Sequence, residues 1–320
     1  DFSRLIISHE TATEVPNSYL LDRETKSFAR LTDNTDPAPE VTMAERLRFR
    51  VERVDGFKFW VSVTIPRHYG DRLPALFWVY PREFTDQKTY DDQRKPPNPH
   101  RFPTLRPRSM ELLVLHGYVV VTPDCPIVGP RGRMNDNFVA DLRNSLWAVI
   151  DELDKRQIID RDRLAIGGHS YGAFATANAL AHTPFFKAGI AGDGNYNRTL
   201  TPMSFQSERR FLWDARETYL RMSPLLYANQ IQGALLMYHG LADSNSGTFP
   251  LNSPRLFQAL NGLGKHAALY LYPHEEHGPV AGATVLDLWA RWCEWLDVHV
   301  KDPHKGTGRG KVRPTEDRTR

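Results

Sequence analysis

Three features of this sequence predict an α/β fold, a mostly parallel sheet with helices on both faces. Short continuous apolar runs ("ALFWVY", "YVVVT", "RLAIGG", "KAGIAG", "ALLMYHG" and "AALYLYP") alternate with stretches of helical character. Strands that are apolar throughout belong in a sheet covered on both sides, hence a mainly parallel one. Between residues 136 and 156, Phe138, Leu142, Leu146, Val149 and Leu153 recur at the spacing of an amphipathic crossover helix. Finally, "AIGGHSYGAFATANAL" at 165–180 runs from strand to glycine-rich turn to small-residue helix, with Ser170 in the turn.

The chain has 320 residues, enough for one large α/β domain with appendages. Apolar residues make up 41% and charged residues 25%, the balance of a globular protein rather than a disordered or membrane one. No apolar run approaches the roughly 20 residues that span a bilayer. The net charge of +3 is an end effect: residues 301–320 carry seven Lys/Arg and three Asp/Glu, leaving 34 basic and 35 acidic residues elsewhere. A near-neutral body argues against the basic footprint of a nucleic-acid binder. The segment 302–320 reads as a solvated, disordered basic tail. Two cysteines, Cys125 and Cys293, cannot form a disulfide framework, which favours a cytoplasmic over a secreted protein without fixing the compartment. The first residue is Asp1, so a preceding segment is expected.

Residues 1–45 read as a β-rich piece and linker: "RLIIS", "NSYLLD" and "SFARLT" are short strands, and "TDNTDPAPE" follows as a connector. Three strands alone bury too little to be stable, so this piece must pack on something else. The main domain spans 46–301. It opens with "RLRFRVERV" and "FKFWVSVTIP", half-buried antiparallel strands around an Asp55-Gly56 turn. After Tyr80 comes a proline-rich connection with no periodicity, read as a structureless lid or mobile loop.

The chemistry centres on Gly168-His169-Ser170-Tyr171-Gly172, a Gly-x-Ser-x-Gly nucleophile elbow in the strand-turn-helix setting that gives the motif its meaning. A sharp turn thrusts the Ser170 hydroxyl out at the carboxyl edge of the sheet, and glycines remove side chains that would collide there. This is the elbow of the α/β-hydrolase fold, whose base and acid follow in the order Ser, Asp or Glu, His. His277, in "YPHEEHGPV", and Asp243, in "MYHGLADSN", both lie in loops just beyond late strands. Serine needs a base to take its proton, and the base needs a carboxylate to fix its tautomer. Asp193, after "AGIAG", is the rival acid, and His274 the rival base. A metal site at "HEEH" is disfavoured, because its histidines are three rather than four apart and sit in a Pro/Gly-bracketed loop. His116, His169 and His239 read as packed or locally satisfied. For the oxyanion, the backbone N–H of Tyr171 is one donor and the hydroxyl of Tyr80 the candidate second, each such donor being worth about 3 to 4 kcal/mol.

Tyr80 in "FWVYPREF", Ser170 in "GGHSYGAF", Asp243 in "HGLADSN" and His277 in "HEEHG" together resemble the catalytic domain of the prolyl oligopeptidase family of serine peptidases, over roughly residues 46–301. "YNRTLTP" and "MSPLLYANQI" are most similar to the chloroplast-type glutamyl endopeptidases and their bacterial relatives. The resemblance implies an upstream β-propeller, of which 4–32 would be the end of the last blade, a peptide as substrate, and no cofactor. It also implies a substrate pocket, for which Tyr196, Arg198, Arg131 and Arg133 are the candidates. Where relatives of that type have Arg-Ser-Gly before "YNRT", this chain has Gly192-Asp193-Gly194, and an anionic residue there weakens a glutamate preference. An esterase or acyl-peptide hydrolase with the same triad, or a catalytically silent hydrolase-fold module, are the competing readings.

Overall fold

A computed structural model describes residues 2–67, 70, 72–95 and 97–301; the basic tail expected at 302–320 lies outside the described residues. Strands β1 (Arg4–His9), β2 (Asn17–Asp22) and β3 (Ser27–Arg30) form an antiparallel three-stranded sheet of their own. A short turn of helix, α1 (Pro39–Thr42), leads into the main sheet. There β4 (Glu45–Glu52) and β5 (Lys58–Ile65) pair as an antiparallel hairpin, with Glu52 opposite Lys58, as the alternation around Asp55-Gly56 predicts. Then follow β6 (Leu73–Trp78), β7 (Arg82–Phe84), helix α2 (Gln87–Gln93), β8 (Val119–Pro123), β9 (Pro126–Val128), α3 (Phe138–Lys155), β10 (Ile159–His169) and α4 (Tyr171–His182). The chain ends with β11 (Ala188–Gly192), α5 (Arg216–Arg221), β12 (Ala234–Gly240), α6 (Asn252–Gly262), β13 (Ala267–Tyr272) and α7 (Gly282–Leu296).

The main sheet has eight strands in the order β13-β12-β11-β10-β6-β8-β5-β4. Every pair from β13 to β8 is parallel, and β5 pairs antiparallel with both β8 and β4. Side chains of one sheet face meet α3, α4 and α6 in a core that includes Phe77, Leu142, Leu146, Phe174 and Leu260. On the opposite face Leu76, Val120, Ile190 and Leu236 meet α7 through Leu288, Trp292 and Leu296. This is the α/β-hydrolase arrangement expected from the sequence, with both faces of the sheet dry. Each such buried large apolar side chain contributes roughly 1.5 to 3 kcal/mol. Among the described residues no helix is long and apolar enough to cross a membrane.

The connection after Tyr80 is not structureless: β7 pairs in parallel with β9, and α2 follows, started by the Asp86 carboxylate, which accepts the Thr89 N–H at 2.7 Å. The helix escapes pattern reading because it buries one residue, Tyr90, and so shows no apolar stripe. The strand read as ending at Tyr80 also stops at Trp78, although the Val79 N–H still bonds the Gly167 carbonyl at 2.9 Å.

The elbow depends on two close approaches. A Cβ on Gly168 would lie 2.4 Å from the Gly172 carbonyl carbon, and a Cβ on Gly172 would lie 2.2 Å from the Val79 carbonyl oxygen. Neither neighbour is a side chain that can swing away. Helix α4 can therefore start directly against the ends of β6 and β10, with every residue from Tyr171 to Ala181 buried. Gly172→Ala is accordingly expected to lose about 3 kcal/mol, read as a lower denaturation midpoint. An unchanged midpoint would contradict the contact.

Candidate active site

Ser170 occupies the turn between β10 and α4 with φ 58 and ψ −117, a left-handed conformation that non-glycine residues rarely adopt. The strain is sustained by the hydrogen bond from its N–H to the Gly192 carbonyl (2.8 Å) and by the buried helix that follows. It holds the hydroxyl 2.9 Å from Nε2 of His277. The other ring nitrogen, Nδ1, lies 2.8 Å from Oδ2 of Asp243. Facing a carboxylate, Nδ1 carries the proton, which leaves Nε2 free to accept one from Ser170. The three side chains come from loops after β10, β12 and β13, all at the carboxyl edge of the sheet, where open α/β sheets bind ligands.

Asp243 has no exposed side-chain surface. Burial alone would raise its pKa. Hydrogen bonds from His277, the Asn245 N–H (2.9 Å) and the Thr248 hydroxyl (3.0 Å) more than offset this and leave it below the usual carboxylate value. A second imidazole, His239, stands behind it, fully buried. Its Nε2 is 2.7 Å from the Thr248 carbonyl and 3.2 Å from Asp243 Oδ2, and its Nδ1 is 2.7 Å from the Ser253 hydroxyl. Two acceptors at Nε2 place the proton there.

The rivals fall elsewhere. Asp193 is wholly buried; its Oδ1 accepts the Gly240 N–H at 2.8 Å and its Oδ2 lies 3.2 Å from His169 Nε2, so it braces the end of β12 rather than His277. His274 is exposed. Asp193, His239 and Asp243 bring potential metal-ligand atoms within 4.8 Å of one another. Those atoms are already engaged by Gly240, Thr248 and His277.

Tyr171 opens α4, so its N–H has no acceptor within the helix. Its ring is buried, and its hydroxyl donates to Glu83 Oε1 at 2.9 Å. Tyr80 lies two residues beyond β6, 43% exposed, with its ring edge-on to Tyr171 at 6.0 Å between centroids.

Beside Ser170 opens a cavity of about 190 Å³ whose lining includes Tyr171, Arg198, Phe205, Asn245 and Thr248. Arg198 is 4% exposed, with its guanidinium carbon 4.0, 4.5 and 5.1 Å from the ring centres of Phe174, Phe205 and Tyr171. Burial lowers its pKa to about 10, so it remains charged at neutral pH. Among the described residues it joins no ion pair, and its Nε has no hydrogen-bond partner. Glu83 is the neighbouring acid, itself raised by burial. Its oxygens accept from Tyr171 and, at 3.2 Å, from the Ser207 hydroxyl. The other three pocket candidates do not join this wall. Tyr196 is 1% exposed and packs against Gly194 in the core, while Arg131 and Arg133 are exposed in the turn after β9. Reading the sequence missed Thr248, Glu83 and Ser253, none of which sits in a motif. His239 it took as locally satisfied, which describes its bonds but not its contact with Asp243.

Comparison with known proteins adds three findings. The family described as "Prolyl oligopeptidase family" matches residues 103–303. A probable chloroplastic glutamyl endopeptidase of Oryza sativa subsp. japonica is 36% identical over 323 residues, covering 99% of this chain and 34% of the relative. A protein of the same name from Arabidopsis thaliana is 36% identical over 303 residues, covering 92% and 31%. The chain thus spans about a third of the length of the curated relatives it matches. Among solved structures, the acylaminoacyl peptidase of Pyrococcus horikoshii superposes with TM-score 0.68 at 22% identity, over 93% of this chain and 48% of that one, a likeness of fold.

The depressed Asp243 carboxyl has a consequence for acid stability. A group whose folded pKa lies below its unfolded value contributes stability above the unfolded value, about 3.9, and loses it as pH falls through the folded value. Asp243→Asn is therefore expected to flatten the fall in denaturation midpoint below about pH 4, measured by urea titrations across that range. Parallel wild-type and variant curves there would refute the assignment.

Proposed function

The chain belongs to the prolyl oligopeptidase family, and on that premise we propose that it is the hydrolase portion of a serine peptidase, with Ser170 as nucleophile, His277 as base and Asp243 as its orienting carboxylate. The observation that carries this reading is His277, whose two nitrogens lie 2.9 and 2.8 Å from Ser170 and Asp243. In the first step His277 Nε2 takes the Ser170 proton as the hydroxyl oxygen attacks the peptide carbonyl. Asp243 stabilises the imidazolium; the Tyr171 N–H and the Tyr80 hydroxyl hold the oxyanion. The tetrahedral adduct collapses by expelling the amine, which leaves with the proton from His277. Water, deprotonated by the same imidazole, then splits the acyl-enzyme and restores the serine.

Arg198 supports an acidic residue on the acyl side of the cut bond. A buried guanidinium without an ion pair is costly unless a ligand completes it, and the cavity it faces opens beside Ser170. The relatives named glutamyl endopeptidase point the same way. Asp193, which argued against this from sequence, lies outside that cavity's lining. The three-stranded sheet of β1 to β3, with Ile6 73% and Phe28 52% exposed, we assign to contact with further strands of a longer protein, in keeping with a propeller.

A fluorophosphonate probe is expected to label the wild-type chain and not Ser170→Ala. His277→Gln and Asp243→Asn should each lower peptide kcat by on the order of 10⁴. A folded chain that takes no label sinks the reading, and turnover of nitrophenyl esters without any peptide cleavage would favour the esterase alternative. Arg198→Gln should lower kcat/KM for a Glu-containing peptide by at least about tenfold relative to its Gln counterpart. An unchanged ratio would remove Arg198 from specificity.

A further inference from the structure

A second cavity, of about 420 Å³, lies against residues that adjoin Ser170 and His277 in sequence and shares no lining residue with the first. The first touches Ser170 and Thr248. The second is bounded by His169, immediately before the nucleophile, and by Pro279 and Val280, just after the catalytic histidine. Its remaining walls are Trp78 at the end of β6, Met110, Tyr238 of β12, and Val285 and Trp292 of α7, with Arg106, Pro107, Arg108 and Ser109 along one side.

Among the described residues, one cation here joins no ion pair and one buried donor has no hydrogen-bond partner. Arg108 lines the cavity beside the Tyr238 hydroxyl, and among the described residues it joins no ion pair. Its guanidinium lies against the backbone that follows His277, since a Cβ on Gly278 would come within 2.9 Å of it. The nearby acid, Glu275, has its two oxygens taken by the N–H groups of Val280 (2.8 Å) and Ala281 (3.2 Å). Trp292 is 1% exposed, yet among the described residues its indole N–H has no hydrogen-bond partner. A cation without an ion pair and a buried indole donor without a partner, both lining one cavity, suit a ligand that accepts. Asp193, behind His169, is wholly buried, and among the described residues no carboxylate lines the cavity.

We propose that this cavity binds an apolar residue bearing a free carboxylate, of the kind a peptide presents at its carboxyl terminus. The side chain lies among Trp78, Met110, Val285 and Trp292, and the carboxylate meets Arg108. Binding does not depend on the peptidase reading. If that reading holds, the position next to the His277 loop places such a residue on the leaving-group side of the cut bond.

Trp78 and Trp292 make intrinsic fluorescence a direct reporter. Titration with N-acetyl-L-phenylalanine is expected to give a saturable change, and N-acetyl-L-phenylalaninamide, which lacks the charge, to bind at least about tenfold more weakly. Arg108→Gln should bring the acid down to the level of the amide, Arg108→Lys should keep most of the difference, and Arg198→Gln should change neither. The proposal is overturned by the absence of saturable binding, by equal binding of acid and amide, or by a loss that follows Arg198→Gln instead of Arg108→Gln. Should Arg108→Gln not fold, the acid-to-amide ratio in the wild-type chain and in Arg108→Lys decides the matter.

Discussion

A carboxylate cannot be taken out of water alone, and the arrangement around Asp243 follows from that constraint. The side chain has no exposed surface, so its charge has to be met inside the protein. His277 meets it from the loop after β13, while Asn245, Thr248 and His239 meet it from the end of β12 and the loop beyond. Each of these donors is thereby positioned by the charge it satisfies. His277 is held in the tautomer that leaves a lone pair toward Ser170, and Thr248, bonded to both Asp243 and the His239 ring, ties its loop over the pair. The bonds that make burial of this acid tolerable are the same ones that aim the imidazole.

The serine side of the site is rigid for a different reason. Ser170 is kept in an unfavourable backbone conformation by packing, with α4 buried along its length and its first turn in contact with the Val79 carbonyl. Strain of this kind persists where the surroundings over-determine it. The Ser170 hydroxyl and the His277 imidazole are thus brought together by backbone packing on one side and by hydrogen bonds on the other.

Charge is handled differently on the two flanks of the triad. Arg198 is desolvated among the faces of Phe174, Phe205 and Tyr171, which offer the electron-rich surface of their rings but no formal countercharge. The acid nearest to it, Glu83, is occupied by two hydroxyl donors. Arg108 is less buried and lies against the backbone after His277, where Glu275 is committed to two N–H groups leading into α7. In both places the local acid has been spent on structure, and the cation faces a cavity.

The sequence alone determined the sheet, the crossover helix and the order of Ser170, Asp243 and His277, because these are recorded locally: in apolar runs that require a covered sheet, in the period of α3, and in glycines where the backbone approaches itself. It also put Tyr171 at the start of a helix, where α4 begins. It failed at α2, where a single buried tyrosine leaves no periodic trace. Arg131 and Arg133, which charge alone suggested for a pocket, lie outside the lining of the cavity beside Ser170. Tertiary structure decided which arginine lies beside the serine, which of Asp193 and Asp243 faces the imidazole, and that His239, Thr248 and Glu83 belong to the site. Those relations hold across long stretches of chain, Tyr171 with Glu83 and His277 with Ser170 among them. Burial and hydrogen bonding between distant segments are properties of the packed chain, and no local pattern encodes them.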